Sequence, residues 1–427
     1  METERQITLL GGISIAISMV IGSGLFGLPG LVIQATGPFN ALAGWLAIIM
    51  IMPSMIYIFS YLGQRYPATG GIALYATRGF GAWSKGGILL LTSGTLLIGM
   101  PAFFMVGGSY LASLFHLDVA VWASPLALLL AIFTTTINVI GVRQLGWVNS
   151  FAVTFIMGII VFVVVRTISE IRHLHKVLCA TPIRQLSFSK IWLAASIVFW
   201  AFQGWENLTF GFGEIQDPAG NIPKTFWISF VVVAISYLLF AVSVSVSALS
   251  GLHVFGLNGL VAFLPSGAFG SLTLVVMVLI LVANANSWVF GASRAFLAAA
   301  KGGMLPRLLA RETGKQVPIA SLLCALAAYC CIIGAFYLFK IDPKYAFLIT
   351  TQGFIILYGG AILRFVRETN RLKDRFTALL ALVGWIFLVQ GFRLLILYPV
   401  IWFALGTFLS LRRDPSATGT TEAIAGD

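Results

Sequence analysis

Apolar runs of about 20 residues succeed one another along almost the whole 427-residue chain, with short polar stretches between them. A helix of that length crosses roughly 30 Å, the thickness of a bilayer's hydrocarbon core. The runs show no alternation of period two, so they predict membrane helices and not barrel strands. Spans are expected near residues 7–34, 39–62, 84–114, 119–140, 147–165 and 191–212, then one ending near Leu249. Five more follow near 269–300, 319–339, 345–365, 377–389 and 394–411, which makes twelve.

Two of these runs are interrupted. The first contains Ile21-Gly-Ser-Gly-Leu-Phe-Gly27 followed by Pro29-Gly30, and the sixth contains Trp200-Ala-Phe-Gln-Gly-Trp-Glu206. Gly24 and Gly204 lie 180 residues apart, and later spans pair at similar offsets, a pattern of two five-helix repeats. Because five is odd, the second repeat starts on the opposite side of the membrane and the repeats are inverted. An interrupted helix exposes carbonyls at the end of its first half and N–H groups at the start of its second, with about half an elementary charge at each end. A zwitterionic amino acid matches this. Its carboxylate would sit on the N–H groups near Ser23, Gly24 and Leu25, and its ammonium on the carbonyls of Ile21 and of Trp200, Ala201 and Phe202. A lone cluster such as Gly22, Gly24 and Gly27 would suit close helix packing equally well. The second interruption at the matched position favours binding. The same glycines spell G-x-G-x-x-G, but Trp45 and Leu46 stand where the acidic partner of a dinucleotide fingerprint belongs, so no nucleotide site is expected.

Other punctuation is local. Met100-Pro101 should kink the third span. The loop opening at Tyr66-Pro-Ala-Thr-Gly-Gly71 continues amphipathically and predicts a short interfacial helix on the cytoplasmic side. His173, His175 and Cys179 lie in the polar linker from Arg166 to Lys190 and are read as exposed loop residues rather than a metal set. The tail beyond Arg412-Arg413 has a disordered composition.

Composition sharpens the class. With 59% hydrophobic and 9% charged residues, the chain is excluded from the soluble globular proteins. The formal charge of +12 does not imply nucleic acid, because the 26 Lys and Arg residues fall mostly in short loops. Alternate loops hold most of them when the N-terminus is cytoplasmic. The loop from Arg166 to Lys190 runs against that orientation, but the Arg294–Lys315 and Arg364–Arg375 loops demand it. Four cysteines show neither metal spacing nor a disulfide pattern, and the first run lacks a cleavage site. Of the 14 acidic residues only Glu206 lies deep in an apolar run, where a carboxyl must be paired or face water.

Several of these stretches resemble one family. Gly12-Ile13, Val20-Ile-Gly-Ser-Gly-Leu-Phe26 and Pro29 look like the first-helix signature of the amino acid–polyamine–organocation superfamily. Tyr66-Pro67, Gly70-Gly71 and Arg78-Gly-Phe-Gly81 resemble its loop after helix two; Phe199 to Glu206, Glu214, Asp217-Pro218 and Ile222-Pro-Lys224 resemble its sixth helix and following loop. The resemblance implies an all-α LeuT-like fold of about 12 transmembrane helices with helices 1 and 6 discontinuous, working by alternating access. The first repeat with its following loop then occupies residues 1–187, the second 188–370, two further helices 371–413 and a cytoplasmic tail 414–427. The short chain, Gly99-Met-Pro101 and the wording of the sixth helix look most like bacterial exporters of methionine and branched-chain amino acids. Gly220 departs from the family, which often has a basic residue there. The fifth span has no lysine, so coupling through such a lysine is unavailable.

The resemblance also ranks residues. Trp200 and Phe202 are candidate walls, Gln203 a polar contact, and Trp205 and Glu206 gating or supporting groups. Asn286 with Ser287 matches the family better than Asn284. Glu206 has two roles open, repair of the interrupted backbone or proton transfer. No further embedded acid is read, so neutral apolar substrates are expected: methionine, leucine, isoleucine and valine. Cationic amino acids or amines are the alternative. An enzyme is disfavoured by the absence of H-E-x-x-H, G-x-S-x-G or paired embedded carboxylates, and a channel by the lack of a repeated pore loop. No cofactor is expected, with proton coupling left open. The expected partners are an amino acid and the lipid of a bacterial inner membrane, with both termini cytoplasmic, no nucleic acid, and a monomer or homodimer.

Overall fold

The computed structural model describes residues 7–66, 71–140, 146–172, 186–208, 215–313 and 317–413. His173, His175, Cys179, Glu214, the stretch 67–70 and the tail 414–427 lie outside these, as does the side chain of Ser23. The described elements are helical. They run α1 Leu9–Val20, α2 Ser23–Thr36, α3 Pro38–Arg65, α4 Gly71–Phe80, α5 Lys85–Leu114, α6 Val119–Ile140, α7 Gly146–Arg166 and α8 Ile168–Arg172. They continue with α9 Phe188–Val198, α10 Trp205–Leu208, α11 Pro218–Leu249, α12 Ala268–Lys301, α13 Ile319–Phe339, α14 Lys344–Glu368, α15 Leu372–Val389 and α16 Leu397–Arg413.

Helix boundaries follow local chemistry. Thr8 caps α1 by accepting from the Gly11 N–H at 3.2 Å. Pro38 and Pro218 open α3 and α11 at positions where a missing N–H costs nothing, and the Asp217 carboxylate accepts from Gly220 N–H at 3.3 Å. Within the spans, several hydroxyls are satisfied on their own helix: Thr92, Ser93, Thr95, Ser109 and Thr350 each donate to the carbonyl four residues back. These five thus sit in apolar helices without needing a partner helix.

Among the described residues, nine helices are long and apolar enough to cross a membrane. The twelve expected spans differ from that number for identifiable reasons. The seventh-to-tenth boundaries agree closely, but the fifth and sixth segments appear as the shorter apolar stretches Phe151–Arg166 and Phe188–Phe202. The eleventh, α15, begins at Leu372 and carries Lys373, Asp374 and Arg375 in its first turn.

Burial orders the helices. In α14 and in the span containing α5, 83% and 78% of the apolar window is buried, against 11% for the last span, which presents its apolar face outward. α5 packs against α6, α12, α14 and α16, and α3 against α9 and α11, so α1, α2 and α9 are enclosed on several sides. The interfacial helix expected after Tyr66 exists as α4, but it is not free-lying. Ile72, Tyr75 and Ala76 are buried, and Gly79 and Ala76 meet Gly360 of α14 backbone to backbone.

Candidate functional site: two interrupted helices in contact

The first interruption is Ile21-Gly22, between α1 and α2. The last turn of a helix leaves its carbonyls without internal donors. Here the Ile17 carbonyl accepts from Ile21 N–H at 2.8 Å, the Ser18 carbonyl from Asn284 Nδ2 at 3.2 Å, and the Val20 carbonyl from the Tyr237 hydroxyl at 3.0 Å. Two of these donors come from other helices, α11 and α12. At the start of α2 the Leu25 N–H donates to the Gly22 carbonyl at 3.1 Å, and no side chain caps this end at Gly22.

The second interruption follows α9. One 3-10 turn, Phe199–Phe202, leads to Gln203-Gly204 and then to α10. Gly204 has φ +121°, a conformation L residues rarely adopt. Its N–H donates to Glu206 Oε1 at 2.9 Å, while Tyr358 of α14 donates to Glu206 Oε2 at 2.7 Å. Glu206 is 1% exposed and thus holds the backbone of its own interruption. The Tyr237 hydroxyl is also 3.0 Å from the Ala201 carbonyl, so one phenol joins the two interruptions.

The interruptions touch each other directly. A Cβ on Gly24 would stand 2.7 Å from Ala201 Cα, and one on Gly204 would stand 2.7 Å from the Met19 carbonyl oxygen. Both are tighter than any real Cβ contact, so glycine at these two positions is what lets α2 lie on the 3-10 turn and the second interruption lie on the end of α1.

Beside this crossing lies a small cavity bordered by Met19, Val20, Gly22, Gly24, Trp200, Gln203, Asn284 and Trp288. Its volume of ≈ 20 Å³ is room for about one water, which needs roughly 10–15 Å³. Among the described residues, none of the eight that line it is ionisable. The Trp200 indole is held edge-on by Phe347 at 4.8 Å, and Gly99 leaves it room, since a Cβ there would come within 3.3 Å of the ring. Gln203 Nε2 donates to Thr351 Oγ1 at 3.4 Å.

Of the residues the sequence singled out, Gly22, Gly24, Trp200 and Gln203 border the cavity. Ile21, Leu25 and Ala201 are buried, and Ala201 meets Gly24 in the contact between the interruptions. Phe202 lies elsewhere, enclosed by Trp45 at 6.2 Å and Tyr237 at 5.1 Å. Trp205 packs between Phe226 and Phe230 at 5.9 and 6.4 Å, and Gly27 abuts Val106 of α5. Asn286 faces α6, where Asn138 donates to its Oδ1 at 2.7 Å. Its neighbour Asn284 is the asparagine on the cavity. Two positions on a helix point about 200° apart, so one of the pair had to face away, and the spacing alone did not say which. Met19, Tyr237, Trp288 and Tyr358 also belong to this region, and no local motif in the sequence marks them. The usable signal was that Asn284 and Trp288 stand four apart on one helix face.

Residues 7–410 match the family model for amino acid permeases. The chain is 25% identical over 355 residues to the uncharacterized amino acid permease YecA of Bacillus subtilis (strain 168), covering 80% of each protein. It is 24% identical over 339 residues to the cystine/glutamate transporter of Homo sapiens, covering 75% of this chain and 66% of that protein. To the L-methionine/branched-chain amino acid exporter YjeH of Escherichia coli (strain K12) it is 24% identical over 237 residues, covering 55% of this chain and 54% of that one. The match over nearly the whole chain, on a fold of long apolar helices, makes this chain a member of the amino acid permease family, a multi-pass membrane protein and not an enzyme.

Proposed function

We propose that the protein is a secondary transporter of amino acids with neutral, apolar side chains, methionine, leucine, isoleucine and valine foremost, and that it works as an exporter by alternating access. The observation that carries the reading is the contact of the two interruptions, Gly24 on Ala201 and Gly204 on Met19, beside a cavity bordered by both. An amino acid's carboxylate suits the first-turn N–H groups of α2, and its ammonium suits the carbonyls at the end of α1 and around Trp200 to Phe202. The present space admits a water and not an amino acid, so binding requires Trp200, Gln203, Asn284 or Trp288 to move. That is the behaviour of a site that closes and opens during a transport cycle.

Magnitudes favour a neutral side chain. A cationic side chain brought beside eight un-ionised residues loses several kcal/mol of hydration. The faces of Trp200 and Trp288 would return about 0.5–2 kcal/mol each. A thioether or branched aliphatic chain incurs no such loss and gains roughly 25 cal/mol per Å² of apolar surface buried. The relative YjeH is named for methionine and branched-chain export, in keeping with this. The two indoles are nevertheless the specific reason to keep cationic amino acids or amines as a second reading.

In the same reading the chain is built of two inverted five-helix repeats of LeuT-like form, residues 1–187 and 188–370, with two further helices over 371–413. α7, α9 with its 3-10 turn, and α15 then complete twelve spans. Both termini face the cytoplasm of a bacterial inner membrane, and the working unit is a monomer or homodimer that takes no cofactor. The test is counterflow. Proteoliposomes preloaded with unlabelled methionine should accumulate labelled methionine transiently, and leucine but not arginine inside should replace it; linear, non-saturable entry would indicate a channel instead.

A further inference from the structure

Asn284 sits on α12 one helical turn before Trp288, and both border the cavity. Its Nδ2 donates to the Ser18 carbonyl in the last turn of α1. Its carboxamide lies face-on against Gly22: a Cβ there would stand 2.7 Å from Oδ1 and 2.8 Å from both Cγ and Nδ2. Resting on the reading of this cavity as the amino acid site, we propose that Asn284 is the specificity-determining residue that restricts it to amino acids with uncharged side chains.

Among the described residues that line the cavity, Gln203 and Asn284 are the ones whose polar side chains can accept a hydrogen bond. Gln203 is 4% exposed and turned toward Thr351 in α14, whereas Asn284 is half-buried and stands with the Trp288 indole on one wall. A carboxamide offers a cation an oxygen but no net charge, and the nitrogen of this one is already engaged on Ser18. The described lining therefore offers a cationic side chain two indoles without the counter-charge that burial demands. Asn284 also marks where such a charge would fit. A carboxylate has the same shape, and at this position it would lose the donation to Ser18 and face a carbonyl at the negative pole of α1. Uptake of a proton or of a cation relieves that arrangement. One atom, nitrogen or oxygen, thus separates a neutral site from one that calls for positive charge.

The test uses the full-length protein in detergent and in proteoliposomes, with methionine, arginine and agmatine as probes. Wild type should be stabilised against heat by methionine and not by arginine or agmatine. In Asn284→Asp the ratio of apparent affinities, arginine over methionine, should rise at least about tenfold, with arginine and agmatine both stabilising the variant. Asn284→Ser removes the contact to Ser18 and adds no charge, so it should weaken methionine while still excluding arginine. A folded Asn284→Asp whose ratio is unchanged overturns the proposal, as does an Asn284→Ser that admits arginine; the second result decides the matter should Asn284→Asp fail to assemble. Trp200→Ala separates the two levels. If it abolishes stabilisation by methionine while Asn284→Asp leaves the ratio unchanged, only the role of Asn284 falls. If neither Trp200→Ala nor Gln203→Ala affects methionine, the location of the site falls with it.

Discussion

At the scale of single residues, the interruptions are held by side chains that reach in from other helices. Tyr237 is the clearest case, a fully buried phenol 3.0 Å from two carbonyls that lack helix partners. A buried acceptor left unpaired costs about 1–3 kcal/mol, so Tyr237→Phe should lower stability by about that amount, read as thermal unfolding of the purified protein. Glu206 bonds to Gly204 N–H and Tyr358 within the same enclosure. Glu206→Gln keeps an oxygen for Gly204 and should assemble normally and retain exchange in proteoliposomes. If Glu206 also carries the coupled proton, that variant should lose transport driven by a pH gradient; gradient dependence equal to wild type would confine Glu206 to backbone support. Gly24, Gly204 and Glu206 were legible in the sequence because each breaks an apolar pattern. Tyr237 and Tyr358 were not, because a tyrosine in an apolar span looks like any other core aromatic until its hydroxyl is seen to meet an interrupted backbone, as Tyr237 does, or the carboxylate that supports one, as Tyr358 does.

At the scale of elements, α4 is fixed to the ends of α3 and α14 by a charged cluster. Glu368 accepts from Tyr66 and pairs with Arg364, and Arg65 lies 3.5 Å away. Arg78 of α4 stacks on the Tyr66 ring at 4.1 Å, and Arg367 donates to the Gly79 carbonyl at 2.6 Å. Glu368→Gln removes the counter-charge of this cluster and should cost about 1–3 kcal/mol, with faster hydrogen exchange across residues 71–80 as its local sign. A second pairing is exposed: Glu312 accepts from Lys301 and pairs with Arg294 at 3.0 Å. The Lys301 ammonium, with Arg294 behind it, holds the Glu312 carboxyl below the ordinary value. Because the folded value is the lower one, the stabilisation is present above the ordinary glutamate value of about 4.3 and disappears as pH falls through the lowered one. Glu312→Gln should therefore flatten that acid-side slope slightly, and less in high salt, in thermal melts taken between pH 3 and 5 at roughly 0.01 and 1 M ionic strength. The helices themselves were largely readable from hydropathy and from Pro38, Asp217 and Pro218. Hydropathy alone starts the eleventh span later than α15 begins, because the charged turn with Asp374 reads as loop. In the fold its carboxylate accepts from Tyr57 of α3 at 2.7 Å and is buried, which lets a polar turn belong to the helix. Such long-range pairing leaves no local trace in a sequence.

At the scale of the whole molecule, the packing encloses a crossing of two interrupted segments and leaves only a water-sized space beside it. The sequence pointed to the two interruptions as a pair, since Gly24 and Gly204 each break an apolar run and lie 180 residues apart. The wall that α12 supplies could not be read that way, because Asn284 and Asn286 differ only in helix register. A cavity this small means that ligand and protein must adjust together, so binding should appear as a change in global stability. Ligand at a hundredfold excess over its Kd stabilises a protein by about 2.7 kcal/mol. The most direct measurement is the unfolding temperature of the purified protein with and without saturating methionine, for wild type and Trp200→Ala side by side. The contact of the two interruptions, read as the amino acid site, predicts a clear rise for wild type and none for Trp200→Ala; an equal rise in both would place the amino acid elsewhere, and no rise in wild type with methionine or any branched-chain amino acid would contradict the site itself.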